Sequence, residues 1–226
     1  MCGRFTLKTP PDQWGQLLLP LEDRHGALQQ WRPRYNIAPT QNILCVVASP
    51  GGELDYQYLR WGLVPPWADD LAIGNRMINA RAETLLEKRS FRGPMRSRRC
   101  LVIADGYYEW KREADGKQPY WIAPGGGGAI QFAGLWEINR KAAEEPILSC
   151  AIITTDANEE LKEIHDRMPA ILRRDEAERW ANLDFPADRA QRLLQPAPRN
   201  WLVAHKANRI VGNPRYDGPE CLQPPD

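Results

Sequence analysis

Cys2 follows the initiator methionine directly. Met aminopeptidases remove the first residue when the second is small, so Cys2 is expected to become the mature N-terminus. It then carries two nucleophiles on one residue, a thiol and a free α-amine. Their ordinary pKa values, about 8.5 and about 7.7–8.0, leave a fraction of each in reactive form near neutral pH. The plain alternative makes Cys2 the small, half-buried start of a first strand. Three other clusters carry residues of catalytic type. Asn79-Ala80-Arg81-Ala82-Glu83-Thr84 puts Asn79 and Arg81 on one face if the chain is extended there; if a helix starts there, Asn79 is its N-cap. Ala104-Asp105-Gly106-Tyr107-Tyr108-Glu109-Trp110 sets Glu109 among aromatic rings. Desolvation there raises a carboxyl pKa and suits it to general acid work, while the other reading is a Glu–Arg pair on a sheet face. Ile164-His165-Asp166-Arg167-Met168-Pro169 gives His165 a polar setting, although an isolated histidine is more often structural than catalytic.

The elements that must position these residues are mostly strands. Alternating or apolar runs bounded by turn residues predict strands over 2–7, 42–48, 56–62, 99–105, 107–113, 119–123, 129–138 and 147–155. Asp115-Gly116 and the glycines at 125–128 mark turns between them. Thr9-Pro10-Pro11-Asp12 is a helix-start signal ahead of Trp14, Leu17 and Leu18. Further helices are predicted over 80–91, 158–165, 175–183 and 188–195, and residues 20–40 read as irregular. Strands dominate without a βαβ rhythm. This predicts an α+β fold, a single domain over 1–226 with a largely antiparallel, barrel- or sandwich-like sheet and peripheral helices.

Composition narrows the function. The chain has 226 residues, 42% hydrophobic and 26% charged, which is ordinary globular usage. No apolar run reaches the roughly 20 residues of a membrane helix, and no signal-peptide pattern opens the chain, so a cytoplasmic protein without membrane partners is expected. Five cysteines without a CxxC argue against a disulfide framework, and three histidines give no metal-ligand spacing; no metal and no cofactor are expected. Net charge is +1, yet residues 76–99 hold eight cations against two carboxylates. Arginine outnumbers lysine 23 to 7, and guanidinium forks match phosphate geometry. A solvated helix face is the bland reading of that window. Nine tryptophans favour a groove that holds a single strand by charge and stacking.

Seven segments in order, CGR (2–4), RYNIAPTQ (34–41), WGLVPPW (61–67), NARAET (79–84), ADGYYEW (104–110), AGLWE (133–137) and HDRMP (165–169), resemble the SOS-response-associated peptidase (SRAP) family of abasic-site processing proteins. With VGNP (211–214) the resemblance runs over about residues 2–214. It implies a covalent cross-link between Cys2 and an abasic site in single-stranded DNA, through a thiazolidine. By the same resemblance Asn79, Glu109 and His165 join Cys2 as catalytic residues. Arg4 and Arg81 hold the flanking phosphates, Arg167 is a further DNA-binding residue, and Pro39 and Trp67 wedge against bases. The related motif often has two adjacent tryptophans; here the second is Ala68. A weak lyase activity by β-elimination and a monomeric state go with this reading. Two others stand beside it: a Cys–His–Asn thiol peptidase, whose nearest form is a single self-cleavage exposing Cys2, and a non-catalytic single-strand binding module.

Overall fold

The computed structural model describes residues 2–14, 21, 23–48 and 52–225. Thirteen strands lie among them: β1 (Phe5–Leu7), β2 (Arg34–Ile37), β3 (Asn42–Ala48), β4 (Leu54–Trp61), β5 (Asn79–Arg81), β6 (Arg99–Ala104), β7 (Gly106–Glu113), β8 (Gly116–Pro124), β9 (Ile130–Asn139), β10 (Ile147–Asp156), β11 (Arg167–Pro169), β12 (Ile171–Leu172) and β13 (Leu202–Lys206). Three helices accompany them: α1 (Arg89–Ser97), α2 (Arg174–Ala181) and α3 (Ala187–Gln191). None is long and apolar enough to cross a membrane.

The larger sheet runs β10-β4-β3-β6-β9, and β9 pairs again with β10. Five strands thus close a barrel, which leaves no edge among them. β10 pairs antiparallel with β9 over 147–152 and with β11 over 154–156. Its other side pairs parallel with β4 at Ser149 and Cys150, then with β5 over 152–154. The smaller sheet has the order β13-β8-β7-β1-β2. Phe5 on β1 joins the two, its ring edge-on to Trp61 at 5.3 Å and to Phe132 at 6.0 Å. One apolar cluster therefore runs through both sheets. The α+β architecture with a largely antiparallel sheet and few helices is the one the strand pattern implies; of the barrel and the sandwich left open there, the structure shows the barrel.

Several local expectations are corrected. Residues 80–91 are not one helix: β5 occupies 79–81, a 3-10 turn follows at Ala82–Thr84, and the α-helix starts only at Arg89. The amides of β5 are committed to β10, and this tertiary pairing overrides helix propensity. Residues 158–165 form successive turns, with Ile164 N–H donating to Leu161 O and His165 N–H to the same oxygen. The Asn158 side chain accepts from Leu161 N–H, the local competition that keeps Asn out of helix interiors. The stretch expected to be irregular contains β2 and a 3-10 turn at Ala27–Gln30. The first strand begins at Phe5 rather than Cys2. The Pro-Pro-Asp signal starts a 3-10 turn, Pro11–Gln13, and Leu17 and Leu18 lie outside the described residues.

Candidate active site

Cys2 is fully buried where the two sheets meet. Its thiol donates weakly to Arg4 O at 3.7 Å, and Arg4 O also accepts from Tyr108 N–H on β7 at 2.9 Å. That backbone bond aligns the Cys2 segment with Glu109. From the other sheet, Asn79 donates through Nδ2 to the Cys2 carbonyl at 2.8 Å. Asn79 is therefore a strand residue gripping residue 2, and the N-cap reading falls away. Burial, reinforced by the Glu109 carboxylate, pushes the Cys2 thiol far above its ordinary value, so the neutral thiol is the resting form. Glu109 is 3% exposed. Burial raises its carboxyl to about 7, with the Asp166 carboxylate adding to the rise. An arginine partner would have depressed it, so the sheet-face ion pair is ruled out as the main influence.

His165 sits just before β11. Its Nδ1 lies 3.0 Å from Arg167 N–H and 2.9 Å from an Asp166 carboxylate oxygen. One nitrogen cannot accept from an amide and donate to a carboxylate at once. Burial lowers the imidazole pKa, which selects the neutral ring with Nδ1 accepting from the amide and the proton on Nε2. Asp166 is then a neighbour in contact rather than an ion-pair partner. Segments laid along β10 thus supply Asn79, on β5, and His165, just before β11, while the smaller sheet carries Glu109 on β7 and Cys2 just ahead of β1.

The residues expected at the DNA differ in their commitments. Arg81 is exposed, two positions beyond Asn79 on β5, with Ala80 buried between them. Pro39 is half-buried beside Thr40, whose φ of 72° is held by its N–H bond to Trp61 O. Trp67 is 39% exposed, with the Arg89 guanidinium 5.0 Å above its ring. Arg4 is tied internally, donating to Asn36 Oδ1 at 2.8 Å and to the carbonyls of Val211 and Gly212. Arg167 is 9% exposed and bridges Glu83, Asp156 and Thr154 O. Both arginines hold the fold around the site, whatever else they touch.

Tyr107 escaped the sequence reading. It shares a strand face with Glu109, packs edge-on to Phe132 at 6.2 Å, and buries a hydroxyl that has no hydrogen-bond partner among the described residues. Burial raises its pKa, and the Glu109 carboxylate adds to the rise. Asn79 Oδ1 is likewise buried and unpartnered. In sequence only the alternation counted from Glu109 distinguishes Tyr107 from Tyr108.

Fold and site together define a protein organised around residue 2, with a barrel and a side sheet converging on a buried cysteine. The chain belongs to the SOS response associated peptidase (SRAP) family, which it matches over residues 1–214. Among its relatives, the abasic site processing protein YoqW of Bacillus subtilis is 41% identical over 99% of each chain. The abasic site processing protein HMCES of Gallus gallus is 35% identical over 89% of this chain and 71% of its own. A crystal structure of a Bacteroides thetaiotaomicron protein superposes with a TM-score of 0.84 at 25% identity, over 99% of each chain.

Proposed function

We propose that this protein processes abasic sites by cross-linking Cys2 to the ring-opened sugar in single-stranded DNA, after Met1 is removed. The observation that carries the reading is the convergence on Cys2: a carbonyl gripped by Asn79 at 2.8 Å and a carboxyl near pKa 7 within electrostatic reach. The closed abasic sugar is a hemiacetal. Removing the C1′ hydroxyl proton and protonating O4′ breaks the C1′–O4′ bond and leaves an aldehyde. Glu109, near half-protonated at neutral pH, supplies either function. The α-amine of Cys2 then adds to C1′, water leaves, and an imine forms. The thiol adds across that imine: sulfur bonds to C1′, the thiol proton passes to nitrogen, and a five-membered thiazolidine closes. The balance is loss of one water. A thiol kept neutral by burial suits this order, because the amine reacts first and the sulfur meets an activated carbon already held beside it. His165, neutral with Nε2–H, serves proton transfer at the sugar oxygen. Arg81, Arg4 and Arg167 take flanking phosphates, and Pro39 and Trp67 bear on adjacent bases.

The test uses mature protein and a single-stranded oligonucleotide with one abasic site, run on a denaturing gel without borohydride. A heat-stable band is expected, lost with Cys2→Ala or with Met1 retained. Mature Cys2→Ala keeps an amine, so borohydride restores a trapped imine band. No band from a confirmed Cys2 N-terminus would refute the proposal. A thiol peptidase is less well supported, since burial opposes a resting thiolate at Cys2.

A further inference from the structure

We propose that helix α1 and Trp67 form a track for the single-stranded DNA flanking the lesion; this rests on the function proposed above. The four catalytic candidates use none of α1. Arg89, Arg92 and Arg96 fall at i, i+3 and i+7, along one side of the helix. All three are exposed, while Pro94 and Met95 on the other side are buried. Among the described residues none of these arginines has a carboxylate partner, and neither does Lys88 just before the helix. The exposed arginines of α2 differ: Arg174 faces Glu178 and Arg179 faces Asp175. A row of like charges at helical spacing weakens its own helix, so α1 is built for an external polyanion rather than for stability.

The row follows the site directly in sequence. Asn79 opens β5 and holds Cys2, Arg81 closes that strand, and Lys88 and Arg89 follow at the start of α1. The Arg89 guanidinium covers one face of Trp67 at 5.0 Å. The ring is 39% exposed, which leaves surface for an unpaired base to stack on, while Arg92 and Arg96 continue the cationic line. From Arg89 to Arg96 the helix rises about 10 Å, enough for successive phosphates of one strand. Charge along a backbone with an aromatic platform is the chemistry of single strands, read without sequence preference.

The experiment measures affinity against salt for single-stranded oligonucleotides of about 12 nucleotides carrying a tetrahydrofuran abasic analogue, which has no aldehyde and so separates binding from chemistry. For Arg92→Gln/Arg96→Gln the slope of log K against log[salt] is expected to shrink by about 1.4, two phosphates at about 0.7 each. Affinity at low salt falls about tenfold or more. Arg174→Gln/Arg179→Gln, which removes the same charge from α2, keeps the wild-type slope. An unchanged slope in the α1 variant, with wild type still cross-linking a true abasic site, overturns this proposal alone. An effect seen only when the flank is duplex overturns the single-strand assignment. If wild type neither binds nor cross-links any abasic oligonucleotide, both proposals fall.

Discussion

With its carboxyl near pKa 7, Glu109 changes charge within the range where proteins are usually most stable. The folded value is raised above the ordinary 4.5, so between those pH values the native state holds more protons than the unfolded one. Stability attributable to this group is therefore lost as pH rises from 4.5 to 7, and above 7 the full cost of a buried carboxylate is present. Glu109→Gln is expected to stabilise the protein above pH 7 by about 3 kcal/mol. The gain should fade toward pH 4.5, measured by urea denaturation at several pH values. His165 acts with opposite sign, since its lowered pKa costs stability below 6.5, but it is common to both proteins and cancels in the difference. The same variant should cross-link far more slowly at every pH. Residue types singled out Cys2, Asn79, Glu109 and His165 as candidates in the sequence, and the structure sets Asn79 against the Cys2 carbonyl. Tyr107 was not singled out, since its meaning depends on a strand face: its neighbour Tyr108 looks the same in sequence yet points away and donates to Tyr35 O at 2.8 Å.

Charge counted along the chain overstated the basic surface, and α2 shows why. Arg99 belongs to the basic stretch in sequence, yet it is 1% exposed and its guanidinium donates to the carbonyls of Met95, Trp180, Asn182 and Phe185. It clamps the first residue of β6 to both ends of a helix-and-turn segment, and its pKa, lowered by burial to about 10, still leaves it charged at neutral pH. Arg99→Met leaves four carbonyls, those of Met95 and Trp180 buried, without this donor and is expected to cost about 3 kcal/mol or more. Arg99→Lys, with one charge but fewer donors in the wrong shape, falls between; denaturant midpoints with unchanged slopes check both. The longer strands were legible because alternation is local, whereas β2, β5, β11, β12 and β13 were not foreseen as strands. The helix expected over 80–91 failed because the fate of 79–81 is decided by β10, about seventy residues further on.

At the scale of the whole molecule, closure of the barrel and the parallel pairings of β10 left no mark in the sequence, since neither alters the local pattern. The close approach of Gly62 and Gly74 was also invisible. A Cβ on Gly74 would lie 2.6 Å from Gly62 O, and Gly62 itself holds φ at 125°. Gly74→Ala is expected to cost about 2 kcal/mol and lower Tm by roughly 4–8 °C. It should also weaken oligonucleotide binding, because the displaced backbone leads directly to Trp67; calorimetry and a salt titration separate the two effects. β10 has a last consequence, for synthesis. It is the strand against which both β5, with Asn79, and β11, next to His165, are laid. On the ribosome it emerges only after some two-thirds of the chain. The Asn79 grip on the Cys2 carbonyl therefore cannot form until late in synthesis, when β10 is there to hold β5.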